Sequence, residues 1–206
     1  LIATESMRGQ EYNAFDRTGG NPPYHECILP FTRGLGGPMD FTPGIFEYRN
    51  DSVPGTQPQN TLAHQLAEYI VIYSPGHMAA DLIENYEHQP AFKFIEEVPT
   101  NWERTLVPFA EMGKYVVYAR QERGTDNWYV GGVTDAEGRD FDLSLDFLAD
   151  GRYMAIIYED GPEANYRTNP YPMTIRRLDV DKTTVLHLHL APGGGAAISI
   201  MMREKD

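Results

Sequence analysis

One cysteine, Cys27, stands in 206 residues, so no disulfide can close within the chain, and cysteine usage says nothing of the redox compartment. Apolar runs are short: none reaches the roughly 18 residues that a membrane-spanning helix requires. Positive charge is scarce, with 17 Lys and Arg against 30 Asp and Glu, a net charge of -13. Nucleic acid and anionic membrane would both be repelled by that surplus. It suits a neutral ligand such as a carbohydrate, or a cation, or simply a solvated acidic surface. There is no Gly-rich loop ahead of a helix to cradle phosphate, no zinc-type ligand set and no serine elbow; Gly193, Gly194 and Gly195 fall between strand candidates and read as a turn. No internal repeat or low-complexity segment stands out. What is present is an ordinary globular composition, 41% hydrophobic and 23% charged. The chain opens in an apolar run at Leu1 without an initiator Met or a signal segment, and it is expected to be the C-terminal part of a longer protein.

Two textures follow one another. Residues 1–98 read as mixed α/β: an apolar strand at 1–4, a polar loop, a helix entered through Asn21-Pro22-Pro23, a second strand at 38–42, and a long Pro- and Gly-rich loop at 43–58. The clearest helix comes next, capped by Asn60 or Thr61, with Leu62, Leu66, Tyr69, Ile70 and Tyr73 on one stripe. This order predicts two consecutive βα units, the last two of a (β/α)8 barrel, with the remainder upstream. From residue 99 to 206 the texture is all-β. Strands are predicted at 114–120, 128–134, 141–147, 153–159, 173–180, 185–190 and 196–202, separated by turn signals. Alternation in Phe141/Leu143/Leu145/Phe147 and in Leu186/Leu188/Leu190 indicates one buried and one wet face, and an antiparallel β-sandwich is expected.

Glu5 and Glu11 flank a turn directly behind the first strand. Carboxylates so placed could bind a hard cation, orient a substrate hydroxyl, act as acid or base, or merely cap amides and pair with Arg8. Asp40 ends the second strand at the equivalent position and could reach the same mouth or serve the turn. His25 reads as a structural hydrogen bonder and Arg33 as a residue of the intervening helix. Arg8 is expected in a salt bridge. His187 and His189 alternate along a strand and read as its wet face. Trp102, Trp128 and Tyr129 could stack sugars, but packing is the better expectation.

The segments ESMRGQEYNAF, GGNPPYHECILPFTRGLGGPMDFTPGIF, NTLAHQLAEYIVIYSPGHMAADL, VPTNWERT, NWYVGGVTD and LAPGGGAAI cover nearly the whole chain. Together they resemble the C-terminal end of a glycoside hydrolase family 97 enzyme, with the nearest likeness to its calcium-dependent α-glucosidase branch. The resemblance implies the end of a catalytic (β/α)8 barrel over residues 1–98 and a C-terminal β-sheet domain over 99–206. It implies that Glu11 is the general acid acting on α-glucosidic bonds in oligosaccharides, and that Glu5 and Glu11 are calcium ligands. The base or nucleophile, and further calcium ligands, would lie upstream of Leu1, so the chain alone is expected to be inactive. The parent would be periplasmic or secreted. Either the missing part of the enzyme or another copy would cover the open barrel edge. The alternatives are a carbohydrate-binding or scaffold β-sandwich, and an α-galactosidase of the same family.

Overall fold

The computed structural model describes residues 3, 4 and 7–203. Its C-terminal half carries β1 (Trp102–Glu111), β2 (Tyr115–Glu122), β3 (Trp128–Thr134), β4 (Arg139–Ser144), β5 (Tyr153–Asp160), β6 (Met173–Val180), β7 (Val185–Leu190) and β8 (Gly195–Met202). Six of these strands form one sheet in the order β1-β2-β3-β8-β5-β6, and β4 pairs with β7 as a two-stranded second layer; all these pairings are antiparallel. The two layers close on a core in which Leu143, Leu186, Leu188 and Leu190 of the ribbon meet Val117, Val130, Ile157 and Ile198 of the sheet. The alternation along β7 is as expected, its three leucines buried and both histidines exposed.

The opposite face of the sheet is covered by α2 (Leu62–Val71). Thr61 is the N-cap, its hydroxyl accepting from the His64 amide at 3.3 Å. The helix lies against bare backbone. A Cβ on Gly131 of β3 would sit 2.5 Å from the Ile70 Cβ, and one on Gly195 of β8 would sit 2.6 Å from the His64 Cα. Strand β3, with the ribbon on one side and α2 on the other, is buried at every residue. Aromatic packing of Tyr129 and Tyr158 against the helix Phe92–Glu97, and of Tyr129 against Trp102, extends the helical side. Among the described residues no helix is long and apolar enough to cross a membrane.

Three expectations need correction. The sandwich has an eighth strand, β1, whose Pro108 sits within a register shift between Leu106 and Phe109; an edge strand with a bulge accommodates a proline, and it lacks the alternation by which strands are found. The segment after Asn21 forms turns and two 3-10 pieces, Leu29–Phe31 and Arg33–Gly36, in place of an α-helix. Pro30 removes an amide and crowds the carbonyl four residues earlier, which ends any longer helix there. No complete strand forms at 38–42. Leu1 and Ile2 lie outside the described residues, and what is described is a single parallel bridge, Thr4 to Met39. The Thr4 amide donates to the Pro38 carbonyl and the Asp40 amide to that of Thr4, both at 3.3 Å, while the Met39 amide donates to Tyr73 at 3.1 Å. Arg33 fastens the same place, its guanidinium donating to the Thr4 and Pro38 carbonyls.

Candidate active site at the Glu11 cleft

Glu11 precedes the short α1 (Tyr12–Phe15), and its side chain is exposed. It lines a surface cleft of about 410 Å³ with Gln10, Ala14, Thr42, Ile45, residues 78–80 and Asp81. Thr42 at the lip has φ +59°, a left-handed conformation that is an outlier for a β-branched residue. Such strain persists only where the surroundings over-determine it, and it clusters at functional sites.

The surroundings come from α2. Burying a polar side chain costs free energy unless its hydrogen bonds are replaced, and α2 buries His64, Gln65 and Glu68. Gln65 Oε1 accepts from Gln10 Nε2 at 2.9 Å, the Gly44 amide at 2.9 Å and the Ile45 amide at 3.0 Å. Gln10 Nε2 also donates to Glu68 Oε2 at 3.2 Å, and the Gln10 amide donates to Phe41 at 3.1 Å. Asn60 Nδ2 donates to Glu68 Oε1 at 3.0 Å, while Asn60 Oδ1 accepts from Gln65 Nε2 and from the Tyr48 hydroxyl. The Tyr69 hydroxyl reaches the Pro43 and Met78 carbonyls at 3.1 and 2.8 Å, and Asp81 Oδ2 accepts from the Phe46 and Glu47 amides. Helix α2 therefore holds the sheet with its apolar side and the cleft walls with its polar side.

Burial sets the electrostatics of this frame. Glu26 is pushed up to about 8 by burial; burial and then the neighbouring Glu26 charge drive Glu68 well above the carboxylate range, against the Asn60 hydrogen bond. Burial pushes His64 down to about 4, opposed by its Nδ1 contacts with the Gly193 and Gly194 carbonyls, both 3.1 Å. The imidazole is thus neutral, with Nδ1 the donor.

Of the residues singled out from sequence, Glu11 lies at the cleft and Glu5 lies outside the described residues. Arg8 forms the expected ion pair, but with Asp16; it also donates to Asn21 Oδ1 and Gly20, and stacks over Tyr12. The Asn21 side-chain amide donates to the Gly9 carbonyl at 2.9 Å. His25 is structural, its Nε2 2.6 Å from the Arg8 carbonyl. Asp40 enters the parallel bridge through its amide. Trp102, Trp128 and Tyr129 are 9%, 2% and 1% exposed, so they pack and cannot stack on a sugar. His187 and His189 are exposed as expected, each facing an aspartate across the ribbon, Asp142 at 3.0 Å and Asp140 at 2.7 Å. Sequence reasoning missed Gln10, Asn60, Gln65 and Glu68. The available signal was α2 itself, whose off-stripe positions hold His64, Gln65 and Glu68 but no Lys or Arg, unlike a solvated helix face.

Comparison with known proteins first gives a class: residues 101–201 match the family model described as glycosyl-hydrolase 97 C-terminal, oligomerisation. The chain belongs to glycoside hydrolase family 97, as the C-terminal part of such a protein. It is similar to a glycoside hydrolase family 97 enzyme from Pseudoalteromonas sp. strain K8, solved in complexes with acarbose and with panose: TM-score 0.94, 45% identity, covering 99% of this chain and 32% of that one. It is 36% identical over 208 residues to the retaining alpha-galactosidase of Bacteroides thetaiotaomicron, covering 97% of this chain and 30% of the relative. A β-arabinopyranosidase structure matches at TM-score 0.78 with 25% identity, covering 97% of this chain and 31% of the other. The chain thus spans about a third of the length of each.

Proposed function

We propose that the longer enzyme of which this chain is a part hydrolyses α-glucosidic bonds in oligosaccharides, with Glu11 as the general acid. The observation that carries this reading is the Glu11 side chain, exposed in a cleft whose walls are fixed by a buried hydrogen-bonded frame. Glu11 gives its proton to the glycosidic oxygen as the bond to the anomeric carbon breaks. The second carboxylate, which activates water or forms the covalent intermediate, comes from outside this chain. The likeness to an enzyme solved with acarbose and panose supports glucose-type substrates. A second reading, α-galactosidase, is favoured by the name of the 36% identical relative. A panel of nitrophenyl α-glucosides and α-galactosides on the full-length enzyme separates the two: the proposal expects hydrolysis of the glucosides, and turnover of galactosides alone contradicts it.

Calcium is proposed at the same rim. Among the described residues no group of three or more His, Cys, Asp or Glu could hold a metal. What this chain offers is the exposed oxygen donor of Glu11, of the hard type calcium takes, with Glu5 as the second proposed ligand. The remainder of the six to eight oxygens would come from elsewhere in the enzyme. Bound there, calcium would fix the carboxylate geometry and anchor substrate hydroxyls. Exposed Leu35, Leu82 and Ile83 on the N-terminal side support a surface covered in the intact protein, by its preceding part or by a second copy. A periplasmic or secreted location goes with an oligosaccharide substrate.

A further inference from the structure

We infer that Gln65, buried on α2, is the positioning residue that sets Glu11 against the opposite lip of its cleft; this deepens, and rests on, the assignment of Glu11 as proton donor. The side chain is fully buried, yet its oxygen takes three N–H donors from two separate loops. One is Nε2 of Gln10, the residue before Glu11; the others are the amides of Gly44 and Ile45, on the loop that carries the opposing wall. A single oxygen therefore fixes the distance between the two sides. The second hydrogen of the Gln10 amide goes to Glu68 and its backbone N–H to Phe41, so Gln10 has no freedom to let Glu11 swing. Packing alone does not call for this residue, because Met or Leu fills a similar volume. Joining two loops through one acceptor is what the amide adds. Misplacing a catalytic group by about 1 Å can cost on the order of 100-fold in rate.

The test compares two substrates on the full-length enzyme: an α-glucoside with a sugar leaving group, which needs protonation, and dinitrophenyl α-glucoside, whose leaving group departs without it. Gln65→Met should lower kcat on the first by about 100-fold and on the second by less than about tenfold, with KM moving less than kcat. Gln10→Met releases the Glu11 arm, together with the Gln10 bonds to Glu68 and Asn13, and leaves Gly44 and Ile45 bonded to Gln65, so it should show the same split; it carries the test if Gln65→Met does not fold, as judged by its melting curve. Equal losses on both substrates in Gln10→Met, while Glu11→Gln keeps the split, overturn the inference. Absence of the split in Glu11→Gln itself defeats the proton-donor assignment, and the inference with it.

Discussion

At the residue scale, Asp160 ties the two halves of the chain together. Buried at the end of β5, it accepts from the Thr61 hydroxyl at 2.6 Å and from the Ala191 and Gly195 amides at 2.8 Å each. These bonds join the α2 cap to the glycine turn before β8. The fit is close enough that a Cβ on Gly194 would lie 1.9 Å from the Asp160 carboxylate. Asp160→Ala orphans three buried donors and should cost about 3 kcal/mol or more, read by denaturant unfolding. Glu26 gives a pH signature. Its folded pKa, raised to about 8 by burial, exceeds the unfolded value, so its contribution is complete below about pH 4.5 and is lost as pH rises through 8. Between about pH 6.5 and 8, above the range in which the buried His64 opposes it, stability should therefore decline, and Glu26→Gln should reduce that decline. Little of this was legible beforehand. Glu11 stood out as a carboxylate behind an apolar run, whereas Glu26 and Asp160 look in sequence like any acidic residue, because burial is decided by distant elements.

At the element scale, α2 was readable because cap and stripe agreed: Thr61 starts it and Leu66, Tyr69 and Ile70 are buried. Seven strands could be found from β-branched and aromatic runs between turns. The eighth, β1, could not, since an edge strand needs no apolar alternation and Pro108 argues against a strand. The run after Asn21 misled in the opposite direction, offering a helix start that Pro30 cancels. What the helix pattern did not reveal was that the polar side of α2 would also be buried, against the cleft loops. Close helix–sheet approach depends on Gly131, where an added methyl would meet Ile70 at 2.5 Å and the Ala67 carbonyl at 2.8 Å. Gly131→Ala should destabilise by about 1–3 kcal/mol through overpacking, with a lowered melting temperature as the readout.

At the scale of the whole molecule, the sandwich and the cleft are one construction, since a single helix braces both. That coupling predicts that damage to the sandwich near α2 reaches the Glu11 rim; under the proposed mechanism, with Glu11 as one carboxylate of the pair, the chain would need the rest of its enzyme for chemistry. The most direct measurement is the dependence of kcat on leaving-group pKa for full-length enzyme carrying Glu11→Gln, across a series of α-glucosides. With Glu11 as proton donor the dependence should be steep, with losses of orders of magnitude for sugar leaving groups and near-normal rates for dinitrophenyl. A variant as fast as the unaltered enzyme on oligosaccharides, or slowed equally on every member of the series, would contradict it.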